Sequence, residues 1–223
     1  LFGLVACNDP EEQSPGARQT TTVQQQRELP QLEDISHFNT IQNVLILCAN
    51  DSEKTGVIQT LKERNSRRKK SAQFHIEKRG DASLIDDWPV KDARGNIQRV
   101  KVTIVSYGQN IPSVRGGYQL ITMRGHTGDM EHLFSEASKH EATYTTYIFG
   151  GCKSDQFVEE FMTPRRAIIA DREVGEAANN TYILTILIDR MGQQSSWDSL
   201  NRDIKGLSQR AASQSFLPGD SLQ

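Results

Sequence analysis

Cysteine is scarce in this chain: three residues in 223, at Cys7, Cys48 and Cys152. Cys48 lies inside the apolar run "VLILCAN" and reads as a small buried hydrophobe. A Cys48–Cys152 disulfide is excluded, because two strand tips separated by a third strand exceed the narrow Cα range of that bond. Charge of one sign is also missing. The formal net charge is -2 at pH 7 with acids and bases spread along the chain, so no field favours nucleic acid or an anionic membrane surface. The one basic run, "RNSRRKK" (Arg64 to Lys70), follows an amphipathic stretch and reads as a solvated helix end complementing the negative pole of the helix. Away from the first residues, nothing approaches the roughly 18 apolar residues of a membrane-spanning helix. Gly-x-Gly-x-x-Gly and Gly-Lys-Ser/Thr loops are absent, so Asp51 and Ser52 after the first strand do not make a nucleotide site. A metal site from His126, Asp129 and His132 lacks a fourth ligand at fitting spacing. No cofactor is called for.

The chain opens "LFGLVACNDP", in which Leu4, Val5, Ala6 and Cys7 resemble the lipobox of bacterial lipoproteins, small residues before a cysteine that receives lipid. On that reading residues 1–7 are the remnant of a signal and Cys7 is the lipidation site. The other reading is a terminus that happens to contain a cysteine. Residues 8–40 are rich in Gln, Thr, Pro and charge and poor in apolar side chains, which suits a flexible linker. The folded domain is expected over residues 41–210 and a disordered tail over 211–223. Such an order places the protein in the bacterial cell envelope, in the periplasm or on the outer surface. Its contact with the membrane is then only through a lipid anchor at Cys7.

From residue 41 onward, short β-rich apolar runs alternate with segments of helical period, the signature of an α/β fold with a mostly parallel sheet covered by helices. "NVLILCA" is apolar throughout, as a strand buried on both faces requires. Asp51 to about Lys69 has a helix start signal and apolar residues at Val57, Ile58 and Leu61. "QFHIEKR" alternates like a strand. "DDWPVKDARGNIQRVKVTIVSYG" reads as a hairpin-like excursion, with a turn over Ala93 to Asn96 and a strand through Val100 to Val105. "GYQLITMRGH" is a strand, followed by a helix N-capped by Asp129 with Met130, Leu133, Phe134 and Ala137 on one face. "TYTTYIFGG" is the next strand, and Ser154 is expected to cap a helix carrying Phe157, Val158, Phe161 and Met162. "RRAIIADREVG" gives another strand and "AANNTYILTILIDRMG" another helix. A last helix places Trp197, Leu200, Ile204 and Leu207 along one stripe.

Two consecutive strand-to-helix units end alike. "ITMRGHTGD" leaves its strand at Gly125 and His126, and "YIFGGCKSD" leaves its strand at Gly150, Gly151 and Cys152. In an open parallel sheet ligands bind outside the carboxyl ends of the strands, so both functional groups belong to one edge. They are 26 positions apart, room for one helix and one strand, and neighbouring strands lie about 4.8 Å apart. A histidine beside a cysteine makes the thiol a nucleophile at neutral pH. The glycines are expected to let a substrate backbone approach and to leave N–H groups for an oxyanion. The helix start near Ser154 would favour a thiolate. His126 and Cys152 thus read as a dyad for acyl transfer.

"RGHTGD" followed by "YIFGGCKS" resembles the His-Gly and Gly-Cys blocks of the caspase-like cysteine peptidases, the group that includes caspases, legumains, gingipains and clostripain. It is most similar to bacterial caspase-like proteins with an "RGH" block, a "GGC" or "GSC" block and a later region matched here by "VGEAANN" (Val174 to Asn180). The resemblance covers roughly Val44 to Gln209 in its order of elements and implies a three-layer α/β/α fold. It further implies a cysteine-type endopeptidase that hydrolyses peptide bonds in a peptide or protein substrate. The catalytic residues would be His126 and Cys152, with backbone N–H groups at Thr127, Gly128 and Gly151 for the oxyanion. Thr127 stands where such blocks carry a glycine directly after the histidine. Asp171 and Glu173 follow the strand after the cysteine strand; one reading has one of them line a substrate pocket for Lys or Arg, the other makes them solvated loop carboxylates. The alternative to an enzyme is a catalytically inactive caspase-like scaffold or binding lipoprotein of the cell envelope.

Overall fold

The apolar runs and helical segments assemble into an eight-stranded mixed sheet with helices on both faces. The computed structural model describes residues 41–92, 94–171, 177–191 and 213–216. The strands are β1 (Asn43–Cys48), β2 (Glu77–Arg79), β3 (Ala82–Lys91), β4 (Ile97–Ser106), β5 (Tyr118–Arg124), β6 (Glu141–Gly150), β7 (Arg166–Asp171) and β8 (Ser213–Phe216). Their spatial order is β2-β3-β4-β1-β5-β6-β7-β8. Strands β4, β1, β5, β6 and β7 run parallel, and the antiparallel pairs β2–β3, β3–β4 and β7–β8 complete the two edges.

The apolar alternation of β1 explains the layering. Val44, Ile46 and Cys48 point to one face, where they meet Val57 and Leu61 of helix α1 (Asp51–Ser66) and Ile183, Leu184, Leu187 and Ile188 of α4 (Ala177–Met191). Leu45 and Leu47 point to the other face, toward Met130, Leu133, Phe134 and Ala137 of α2 (Met130–Ala137) and Val158 and Phe161 of α3 (Val158–Phe161). A period of two along a strand and 3.6 along a helix is what lets one sequence serve both layers. The result is the expected three-layer α/β/α architecture with a mostly parallel central sheet.

Four local readings change. Helix α1 starts as expected, with the Asn50 side chain accepting from the Glu53 N–H, but its basic end is solvated only in part: Arg67, Lys69 and Lys70 are exposed, whereas Arg64 and Arg68 are half-buried. The Arg64 guanidinium lies 3.2 Å from the centre of the Tyr182 ring. Arg68 forks onto the Asp189 carboxylate at 2.8 and 3.0 Å, and the Trp88 indole N–H joins it at 3.2 Å. These cations fasten α1 to α4. Secondly, Ser154 is not a helix cap. It is fully buried, donates to the Phe149 carbonyl at 2.9 Å and accepts from the Asp171 N–H at 3.1 Å, tying the ends of β6 and β7 together. With that hydroxyl engaged, residues Ser154–Phe157 form a 3-10 turn, and only Val158–Phe161 is α-helical before Thr163 and Pro164 end it. Thirdly, Asp129 does not cap α2 with its side chain; its carboxylate turns back to the His126 N–H at 2.7 Å. Fourthly, within the stretch read as a tail, Ser213–Phe216 pairs with β7. Residues 1–40, among them Cys7, lie outside the described residues, as do Glu173 and the stripe from Trp197 to Leu207. No helix of the described residues is long and apolar enough to cross a membrane.

Candidate active site

Strands β5 and β6 are neighbours, parallel and in register, with Arg124 opposite Gly150. His126 and Cys152 each stand two residues beyond that last pair, so the two loops leave the carboxyl edge of the sheet at the same level, about one strand spacing apart. His126 is exposed and Cys152 half-buried. Cys48 and Cys152 are both thiols, and β5 stands between their strands, as the exclusion of a disulfide requires.

The loop after β5 is shaped by Asp129. Its Oδ2 accepts from the His126 N–H at 2.7 Å, and the Asp129 N–H returns to the His126 carbonyl at 2.9 Å, closing a 3-10 turn over Thr127–Asp129. Gly125, just before, is small because its space is taken: a Cβ there would lie 2.8 Å from both the Ala49 Cβ and the Asp129 Oδ2. Thr127 reaches across to the next loop, where its hydroxyl donates to the Cys152 carbonyl. Histidine loop and cysteine loop are thereby joined by a side chain–backbone bond. Among the described residues, its two chain neighbours aside, no atom lies within 4 Å of a Cβ built on Gly128.

The two glycines before the cysteine have a different task from the one their sequence setting suggests. Both are buried. A Cβ on Gly150 would lie 2.6 Å from the Met123 carbonyl oxygen and 2.7 Å from Arg124 Nη1, and one on Gly151 would lie 3.2 Å from the Met130 methyl carbon. They are glycines so that a guanidinium and a methionine can close beneath the strand tip; of the glycines in the two motifs only Gly128 is exposed. After Cys152 the chain turns sharply at Lys153, the single non-glycine of positive φ among the described residues, at φ 50° and ψ 35°. The helix expected to steady a thiolate is reduced to a 3-10 turn and one turn of α-helix, so its dipole contributes little there.

Of the other candidates, Asp171 ends β7 and is buried at 6 % exposure, which removes the reading of a solvated loop carboxylate for that residue. Its N–H is held by Ser154 Oγ, so it is coupled to the cysteine loop through one serine. Two residues within the motifs escaped the sequence reading. Arg124, the first residue of "RGH", is a cation at 3 % exposure; a charge directly before a glycine at a strand end was the available signal. Asp129, read as a helix cap, instead sets the histidine loop.

Deeper in the edge, burial pushes the Cys48 thiol up to about 12, against the opposing pull of Arg124. Of the two described thiols, Cys48 is sealed in the core and Cys152 is the more accessible. No group of three or more His, Cys, Asp or Glu that could hold a metal ion occurs among the described residues. No protein-family model and no curated protein matches the chain.

Proposed function

We propose that the chain is a cysteine endopeptidase with a His126–Cys152 dyad. The observation that carries the reading is the register of β5 and β6, which sets an imidazole and a thiol at equal height on neighbouring loops of the ligand-binding edge. In the proposed reaction Cys152 Sγ attacks the peptide carbonyl carbon while His126 takes the thiol proton. The negative charge on the carbonyl oxygen is met by backbone N–H groups around Thr127 and Gly128. Collapse breaks the C–N bond, the His126 proton goes to the leaving amine, and a thioester remains on Cys152. Water, deprotonated by His126, then releases the acid and restores the thiol. Buried Asp171, beside the cysteine loop, belongs to the substrate pocket of this reading and favours a basic side chain.

One observation favours the second reading, a scaffold without turnover. The Thr127 hydroxyl donates to the Cys152 carbonyl, so the position whose N–H the dyad reading assigns to the oxyanion is tied by a side-chain bond to the cysteine loop. A peptidyl electrophile that alkylates thiols separates the two. Expected for the enzyme is labelling of Cys152 in the wild type that falls at least tenfold in His126→Ala; equal labelling of both proteins refutes the dyad and leaves the scaffold.

A further inference from the structure

Arg124 is the one arginine of the described residues with a side chain nearly sealed from water, at 4 % exposure, and it is not part of the dyad. Burying a guanidinium is costly, and an apolar side chain of similar volume usually serves stability as well or better. Its bonds show what the charge is used for. Nη1 donates to the Gly150 carbonyl at 2.9 Å, and Nη2 reaches Glu53 Oε2 of α1 at 3.3 Å. Nε has no acceptor among the described residues. The Arg124 carbonyl accepts from the Ala49 N–H at 2.6 Å, which fixes the same residue to the end of β1. Gly150 must lack a side chain for this grip to form, since Nη1 and Cδ would lie 2.7 and 3.0 Å from its Cβ.

We propose that Arg124 is a positioning residue that sets both catalytic loops at once: its main chain runs through Gly125 into His126, and its side chain clamps the carbonyl two residues before Cys152. The inference rests on the dyad reading. The clamp acts on geometry, through a carbonyl at the last paired position of β6, and its effect reaches the thiol through the short Gly150–Gly151–Cys152 segment. Glu53 supplies the counter-charge and holds the guanidinium plane from the side of α1. A neutral residue of like volume would fill the space but leave the Gly150 carbonyl without its donor.

The test compares wild type, Arg124→Met and Arg124→Lys as full chains. Three quantities are read: kcat and KM on a peptide library hit, the rate of Cys152 carbamidomethylation by iodoacetamide resolved by peptide mass, and hydrogen exchange over residues 150–154. Arg124→Met is expected to lower kcat at least tenfold with KM within about twofold, and to speed exchange in that segment at least tenfold. Arg124→Lys, which keeps one charged donor, is expected to recover part of both. A folded Arg124→Met protein with wild-type kcat and wild-type exchange overturns the proposal. So does an Arg124→Lys protein no better than Arg124→Met. If Arg124→Met does not fold, the comparison of Arg124→Lys with wild type decides in the same way. Should the wild type itself cleave nothing and label equally with and without His126, the dyad reading fails alone. The exchange and alkylation rates still report whether Arg124 holds the cysteine segment.

Discussion

Adding a single methyl group at Gly150 tests the packing of the strand tip directly. In Gly150→Ala the new carbon would lie 2.6 Å from the Met123 carbonyl oxygen, 2.7 Å from Arg124 Nη1 and 3.0 Å from Arg124 Cδ. The Met123 oxygen cannot retreat easily, because β5 is paired on both sides, to β1 and to β6. Nor can the guanidinium swing into water, since the Arg124 side chain is only 4 % exposed. Relieving the overlap therefore means separating β6 from β5 at their ends. Overpacking of this kind costs about 1–3 kcal/mol. Losing the bond from a charged donor to the Gly150 carbonyl adds about 1.5–3 kcal/mol. A total of about 2.5–6 kcal/mol is expected, a large part of the roughly 5–15 kcal/mol that holds a domain together. Urea unfolding is the assay; with a slope of about 2 kcal/mol/M the midpoint should fall by about 1.3–3 M. Gly56→Ala is the control. Gly56 is exposed within α1, and among the described residues nothing outside its own helix backbone and chain neighbours lies within 4 Å of its built Cβ, so the change should raise stability by about 0.5–1 kcal/mol. A Gly150→Ala protein within about 1 kcal/mol of wild type would refute the close approach of strand and guanidinium.

Two further outcomes follow from the same edge. Lys153 sits at φ 50°, a region that costs a residue with a Cβ about 1–2 kcal/mol. Lys153→Gly loses that cost but gains chain entropy when unfolded, so a net rise of about 0.5–1 kcal/mol in urea unfolding is expected; a loss of stability would mean that the lysine side chain is itself a structural contact. Burial raises Cys48 from its ordinary 9.0 to about 12. The folded state thus keeps a proton that the unfolded state gives up. The resulting stability is fully present below about pH 9 and is lost as pH rises toward 12. Stability measured from pH 8 to 11 should fall less steeply in Cys48→Ala, and an unchanged slope would show that the thiol is not sealed.

Much of the sheet was legible because its strands are buried on both faces or alternate cleanly. "NVLILC", "YQLITMR" and "RAIIAD" are long enough and apolar enough that helix and strand readings do not compete. The two-unit spacing from His126 to Cys152 was legible for the same reason, since a parallel crossover has a minimum length. Ser213–Phe216 was not. An edge strand of four polar and aromatic residues has no pattern of its own and takes its conformation from the β7 backbone it pairs with. The basic run was read correctly at Arg67, Lys69 and Lys70, which are exposed, and misread at Arg64 and Arg68, because α4 lies more than a hundred residues later and brings Tyr182 and Asp189 to them.

The α/β class, the helix starts at Asn50 and Met130, and the placement of a histidine and a cysteine at the carboxyl ends of successive strands are written in the order of the residues alone. These are local or periodic properties, set by side-chain alternation over one element at a time. Folding in three dimensions adds that β5 and β6 are neighbours paired up to Arg124 and Gly150, that Gly150 and Gly151 are closed by Arg124 and Met130, and that Ser154 bridges two strand ends. The reason is physical: which atoms fill the space around a glycine or accept from a buried guanidinium is decided by segments distant in sequence, and no single window of the chain contains them.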